Sequence, residues 1–287
     1  MRSSDEIKKL IIDRAISDGR IRAVLLNGSR ASAKVVPDKY QDFDIVYIVT
    51  EMESFTSDLS WTNIFGDMLI RQLPDEMDVG KEPGASENFG FAYLMLFKDG
   101  NRIDLTLFPI NKLESNFHKD SLTVVWLDKD NIFANIDRSS DADYLIKRPP
   151  EKEFLETCNE FWWTSTNVAK GLLRNEMTYA KEMQETVVRP MFMKMIEWYI
   201  GTETNFLVSF GKAGKFMKKY LPGPLYDKIL STYPDHQPEN NWKSLFAMTE
   251  LFGELALIVA DKSKFRYNPE EEKNVKSYLR QLYTERK

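Results

Sequence analysis

The chain has 287 residues, 43% of them hydrophobic and 29% charged, with a net charge of −5. That balance excludes a disordered chain, and no apolar run approaches the ~20 residues of a membrane-spanning helix. The acidic surplus argues against a partner gripped through its phosphates, such as long nucleic acid, and suits a cationic small substrate.

The opening "MRSSDEIKKLIIDRAI" carries acids within a helical pattern and does not read as a secretory signal. Ser3 to Glu6 has the form of a capping box. Ile7, Leu10, Ile11 and Ala15 recur at helical spacing, and Gly19 stands where the helix would stop. A β-rich run over 21–26 predicts the first strand, and "DIVYIV" over 44–49 the second. A helix is expected over 59–69, followed by a Pro/Gly/acid-rich loop from Pro74 to Asn88. "FGFAYLMLF" (89–97) and "RIDLTLFPI" (102–110), joined by "KDGN", predict a hairpin.

The pattern changes near "KRPP" (147–150). Short β runs alternate with helices before it, and helical periodicity dominates after it. Helices are expected over 151–174, over 179–200 with a bend at Pro190, and over 212–221, 225–233, 241–262 and 270–283. The expected fold class is therefore α+β: a mixed sheet with helices over residues 1–146, then an all-α unit over 147–287. Cys158 is the single cysteine and is expected to be packed. With only His118 and His236 available, both in polar surroundings, neither an internal disulfide nor a zinc site fits, and a cytoplasmic location is the expectation.

The chemistry concentrates in "NGSRASAKVVPDKYQDFDIVYIV" (27–49). On a strand, residues i and i+2 share a face, so Asp42 and Asp44 point together while Phe43 and Ile45 turn the other way. Two parallel carboxylates repel, and a hard divalent cation shared with nucleotide phosphates removes the conflict; a solvated strand entrance is the plain alternative. In the later strand Ile103, Leu105 and Leu107 line one face, and Asp104 lies on the other with Thr106 and Phe108. An acid in such a strand needs a partner: either the convergence of all three carboxylates, or an ion pair with Arg102. Upstream, Gly28 lets a backbone approach a phosphate closely, and Ser29 offers a hydroxyl and an N–H.

The stretch "LLNGSRASAKVVPDKYQDFDIVYIV" resembles the signature of the nucleotidyltransferase superfamily with the polymerase-β-like fold. Together with "DGNRIDLTLFPI", "IKRP", "NEFWW", "VVRP" and "GKAGKFMKKYL", the chain is similar over most of its length to the aminoglycoside 6-adenylyltransferases. The resemblance implies transfer of AMP from ATP to a hydroxyl of streptomycin, with release of pyrophosphate. It makes Asp42 and Asp44 Mg²⁺ ligands, places Gly28 and Ser29 at the outer phosphates, and leaves Asp104 as a third metal ligand or as the base. Lys212, Lys215 and Lys219, at i, i+3 and i+7, form a stripe for the phosphates or a solvated basic face. Arg30 is a further basic candidate.

For a cationic aminoglycoside, Glu160 beside Trp162 and Trp163, and Glu182 with Glu185, are the candidate acids. A tryptophan pair in an amphipathic helix is more often core, and Glu182 with Glu185 reads equally as acids near a helix N-terminus. Two rival functions stay open: the same fold acting on a lincosamide, a protein or an RNA end, and a catalytically silent nucleotide-binding regulator. Retention of all three acids speaks against the regulator.

Overall fold

The computed structural model describes residues 1–79, 89–117 and 119–286. His118 and part of the loop expected from Pro74 to Asn88 lie outside them. The chain divides into two compact units, Met1–Asp143 and Tyr144–Lys287. Among the described residues no helix is long and apolar enough to cross a membrane.

The first unit opens with α1 (Ser4–Ser17). Its capping box is complete, since Ser3 Oγ accepts from the Glu6 N–H and the Glu6 carboxylate accepts from the Ser3 N–H. A cap of this kind stabilises a helix by about 1 kcal/mol. Ile7, Ile11 and Ala15 form its buried stripe. The strands are β1 (Ile21–Asn27), β2 (Phe43–Val49), β3 (Met68–Gln72), β4 (Phe91–Phe97), β5 (Arg102–Pro109) and β6 (Val124–Asp128). Two single-turn helices, α2 (Glu53–Thr56) and α3 (Leu113–Asn116), lie in the connections.

The strands form one mixed sheet in the order β3-β4-β5-β2-β1-β6. All neighbours are antiparallel except β2 and β5, which run parallel. The expected hairpin is the β4–β5 pair. The helix expected over 59–69 is replaced by a 3₁₀ segment, Leu59–Phe65, and then by β3. Gly66 at φ 122° ends the 3₁₀ turn, and the apolar residues after it pair with β4.

One face of the sheet is fully covered. Phe43, Ile45, Tyr47, Tyr93, Met95, Ile103, Leu105 and Leu107 pack there with the buried stripe of α1. Tyr47 donates its hydroxyl to Ile11 O at 2.6 Å, and Tyr93 donates to Phe55 O at 2.9 Å, so neither buried phenol is left unpaired. The opposite face is covered at one end only. There Ala23, Leu25, Val46, Ile48 and Phe108 pack with Phe117 and Phe133.

The second unit is helical: α4 (Glu151–Leu173), α5 (Met177–Met183), α6 (Arg189–Glu203), α7 (Gly223–Leu230), α8 (Pro238–Ser263) and α9 (Pro269–Glu285). Its core includes Phe161 stacked on Phe252 with ring centroids 3.7 Å apart, and Trp162 edge-on to the same ring. Cys158 is packed there, and burial pushes its thiol well above the usual range. The helix expected over 179–200 is one uninterrupted helical run, in which α5 passes through a π-helical turn, Gln184–Val188, into α6, so the irregularity lies beside Pro190. Pro190 sits in the first turn of α6. A proline has no N–H for the carbonyl four residues back and collides with it, and the wider turn accommodates both.

The segment 212–221 is not a helix. It holds two short 3₁₀ turns, Lys212–Gly214 and Met217–Lys219, with Gly211, Ala213 and Gly214 all at positive φ. Two glycines and a left-handed alanine break the lysine periodicity that suggested helix.

Candidate active site

Register sets the site. Asn27 is opposite Asp44, Asp44 opposite Asp104, Asp104 opposite Leu94, and Leu94 opposite Gln72. Directly paired residues project from the same side of a sheet, so these five side chains form one row across β1, β2, β5, β4 and β3. Alternation puts Phe43, Ile45, Ile103 and Leu105 into the core on the other side. The acids therefore stand on the half-covered face, at the end its small apolar cluster leaves open. Asp42 is the residue before β2, half-buried like Asp44 and Asp104.

Arg102 also shares this face, two residues before Asp104. Its Nε and Nη2 donate to the two Asp104 oxygens at 2.7 Å each, and its Nη1 lies 3.7 Å from Asp42 Oδ2. The ion pair between Asp104 and Arg102 is thus present together with the alignment of Asp104 on Asp44. The bond to Asp104 raises the guanidinium's affinity for its proton. Burial pushes the Asp42 carboxyl above the ordinary range and Asp104 adds to this, while Arg102 and Arg30 pull it back.

Gly28 follows β1 at φ 70°, opening a 3₁₀ turn, Gly28–Ala31. A Cβ here would lie 2.3 Å from Asp44 Oδ2, so the backbone fits against that carboxylate only without a side chain. Ser29 Oγ accepts from Gln41 Nε2 at 3.4 Å, and Asn27 Oδ1 accepts from Thr123 Oγ1 at 2.8 Å.

Arg30 is built into the wall. It donates to Gln41 O and Asp42 O at 2.7 and 3.0 Å and to Ser4 Oγ at 3.0 Å, with its guanidinium 3.8 Å from the Phe43 ring centroid. Burial lowers its pKa, and Asp38, Asp42 and Asp44 oppose that. It holds the backbone that enters β2.

Hard carboxylate oxygens on neighbouring strands are the donors Mg²⁺ prefers. Among the described residues no three His, Cys, Asp or Glu side chains are gathered into a metal site, so the expected convergence of Asp42, Asp44 and Asp104 on one point is not formed: Asp44 faces Asp104, and Arg102 stands between Asp104 and Asp42.

In the helical unit, Lys212, Lys215 and Lys219 are exposed, and Lys215 and Lys219 both lie over the Phe216 ring. Trp162 is buried, whereas Trp163 is 70% exposed. Glu160 is exposed and accepts from Thr164 Oγ1 at 3.1 Å; Glu182 is exposed as well. Glu185 forms a two-pronged ion pair with the buried Arg189, so its carboxylate is already engaged. His236 is exposed.

Sequence reading passed over Asn27 and Gln41, and weighed Arg102 only as an alternative partner for Asp104. The signal for Arg102 was its two-residue spacing from Asp104, the same rule that aligned Asp42 with Asp44.

Residues 1–282 match the family model described as "Streptomycin adenylyltransferase". The chain is 39% identical to the aminoglycoside 6-adenylyltransferase of Bacillus subtilis (strain 168), over 99% of both chains. It is 40% identical to that of Campylobacter jejuni, over 98% of this chain and 96% of the relative. A solved structure titled as an aminoglycoside 6-adenyltransferase from Bacillus subtilis aligns over 99% of each chain, with 36% identity and a TM-score of 0.47. Full-length sequence similarity at this level carries the assignment: the protein is a nucleotidyltransferase that belongs to the streptomycin adenylyltransferase family.

Proposed function

We propose that the protein transfers AMP from ATP to a hydroxyl of an aminoglycoside, the 6-hydroxyl of streptomycin, and releases pyrophosphate. The observation that supports this reading most is the row Asn27–Asp44–Asp104 beside the bare backbone of Gly28. In this reading the Gly28–Ser29 turn binds the outer phosphates through N–H groups and the Ser29 hydroxyl. Asp42 and Asp44 hold Mg²⁺, which when bound with the triphosphate neutralises charge at the α-phosphate. The acceptor oxygen forms its bond to the α-phosphorus as the bond to the bridging oxygen breaks, pyrophosphate carries away the electron pair, and Asp104 receives the hydroxyl proton.

Arg102 orients Asp104 by its two-pronged bond and moderates the mutual repulsion of the acids. Exposed Lys212 and Lys215 are assigned to the nucleotide. Glu160 and Glu182 present carboxylates of the kind a guanidinium takes, and Glu185 is a weaker candidate because Arg189 engages it. A cytoplasmic location fits ATP as co-substrate.

The test is pyrophosphate release from ATP with and without Mg²⁺, using streptomycin, spectinomycin, kanamycin and lincomycin as acceptors, with the product identified by mass spectrometry. Magnesium-dependent release with streptomycin is expected. Release with none of the four overturns the proposal.

A further inference from the structure

We infer that the groove over β3 and β4, beside Asp104, is the subsite that seats the reacting ring of the acceptor; this rests on the transfer reaction just proposed. Displacement at the α-phosphorus places the attacking and leaving oxygens in line on opposite sides. The strand order puts the Gly28–Ser29 turn on the β1 side of the acids. On the same face, the far ends of β1, β2 and β5 are filled by Ala23, Leu25, Val46, Ile48 and Phe108 under Phe117 and Phe133. An acceptor approaching opposite the phosphates therefore comes over β4 and β3.

A cavity of about 770 Å³ lies there, lined among others by Ile70, Gln72, Glu76, Leu94, Leu96 and Arg102. That volume suits a drug-sized ligand. Leu94 is the direct cross-strand neighbour of Asp104, and Leu96 that of Arg102, so the groove and the acids share a wall. Ile70 pairs with Leu96 and remains 64% exposed, which extends an apolar floor out to the surface. Gln72 and Glu76 are exposed at its rim. A cyclitol or amino sugar matches this lining: its C–H face can lie on the leucines and isoleucine, its hydroxyls can meet the Gln72 amide, and a cationic nitrogen can meet the Glu76 carboxylate.

The test compares Glu76→Gln, Leu94→Trp and Ile70→Arg with the wild-type enzyme in steady-state kinetics, alongside calorimetric titration of streptomycin. Ile70 and Glu76 are surface residues, so the fold survives their substitution even where Leu94→Trp disturbs packing. Each variant is expected to raise the acceptor KM, and the calorimetric Kd, by about 10-fold or more, the scale of one lost charge-assisted contact, while the KM for ATP stays within about twofold. An active wild type whose acceptor KM is unmoved by both Glu76→Gln and Ile70→Arg overturns the groove assignment alone. A wild type that adenylylates no aminoglycoside overturns the proposed function, and the groove assignment with it.

Discussion

Gly28 and Asp44 are fitted to one another: a Cβ on the glycine would stand 2.3 Å from the aspartate's Oδ2, and the glycine backbone sits at φ 70°. Gly28→Ala therefore meets two obstacles, a left-handed backbone that costs about 1–2 kcal/mol for an L residue and a collision with a carboxylate of the site. The expected outcome is a modest fall in urea-unfolding stability and a much larger fall in kcat, because Asp44 must move. Retention of wild-type kcat by a folded Gly28→Ala enzyme would contradict the arrangement.

Asp42→Asn separates chemistry from stability. Burial raises this carboxyl's pKa, so the ionised form is less favourable in the folded protein than in the unfolded chain at neutral pH. The amide is expected to leave the melting temperature unchanged or slightly higher. Transfer should fall by roughly 10²–10³-fold or more, the scale seen when a group stabilising developing charge is removed. Pyrophosphate release and thermal melting by circular dichroism check the two halves.

Asp99 anchors the turn of the β4–β5 hairpin to the N-terminus. Arg2 Nε donates to its Oδ2 at 2.6 Å and the Arg2 N–H donates at 3.1 Å, while the Asn101 N–H and side-chain amide add two more bonds. Arg2 above all holds this carboxyl far below the usual carboxylate range. A depressed folded-state pKa gives stability that is complete above the unfolded value of about 3.9 and is lost as pH falls toward the folded one. Asp99→Asn is expected to cost about 1–2 kcal/mol at pH 7. The gap between variant and wild type should close as pH drops below about 4, measured by denaturant unfolding across pH.

Arg189, only 6% exposed, ties the start of α6 to the segment after α7. It donates to Thr232 O at 2.7 Å and Thr232 Oγ1 at 3.0 Å, and lies over the Tyr233 ring. Arg189→Met leaves these acceptors and Glu185 without their donor and is expected to cost about 2–4 kcal/mol in urea unfolding. Glu185→Gln should cost far less, because that carboxylate is partly in water and the Thr232 contacts remain. A large loss of stability in Glu185→Gln would contradict this ranking.

The central strands were legible in two ways: Ile21–Asn27 and Phe43–Val49 are nearly continuous buried apolar runs, and most of Arg102–Pro109 alternates. In Arg102–Pro109 Ile103, Leu105 and Leu107 are buried at a period of two, Phe108 is buried on the other face, and Asp104 lands where that period puts it. Edge strands were harder to read. Met68–Gln72 has two consecutive exposed apolar residues and no buried face, so its apolar run resembled the end of a helix. Val124–Asp128 is half-buried throughout and shows no alternation at all. Lysine spacing over 212–219 was misleading because charge periodicity carries no packing information, whereas Gly211 and Gly214 set the backbone. The pairing of Asp44 with Asp104 depends on which strands become neighbours, which local patterns do not encode.

The pairing of β2 with β5 is the one parallel contact of the sheet among the described residues. It joins strands whose facing acids are 60 positions apart in the chain, whereas β4 and β5 close through a tight turn. Each acid-bearing strand can thus find its antiparallel neighbour locally, but the two anions meet only when those modules zip along a seam that their own repulsion opposes. With the roles proposed for Asp44 and Asp104, turnover becomes a reporter of long-range assembly: a chain with both antiparallel modules formed and the seam unjoined would keep its β-sheet signature and have no activity.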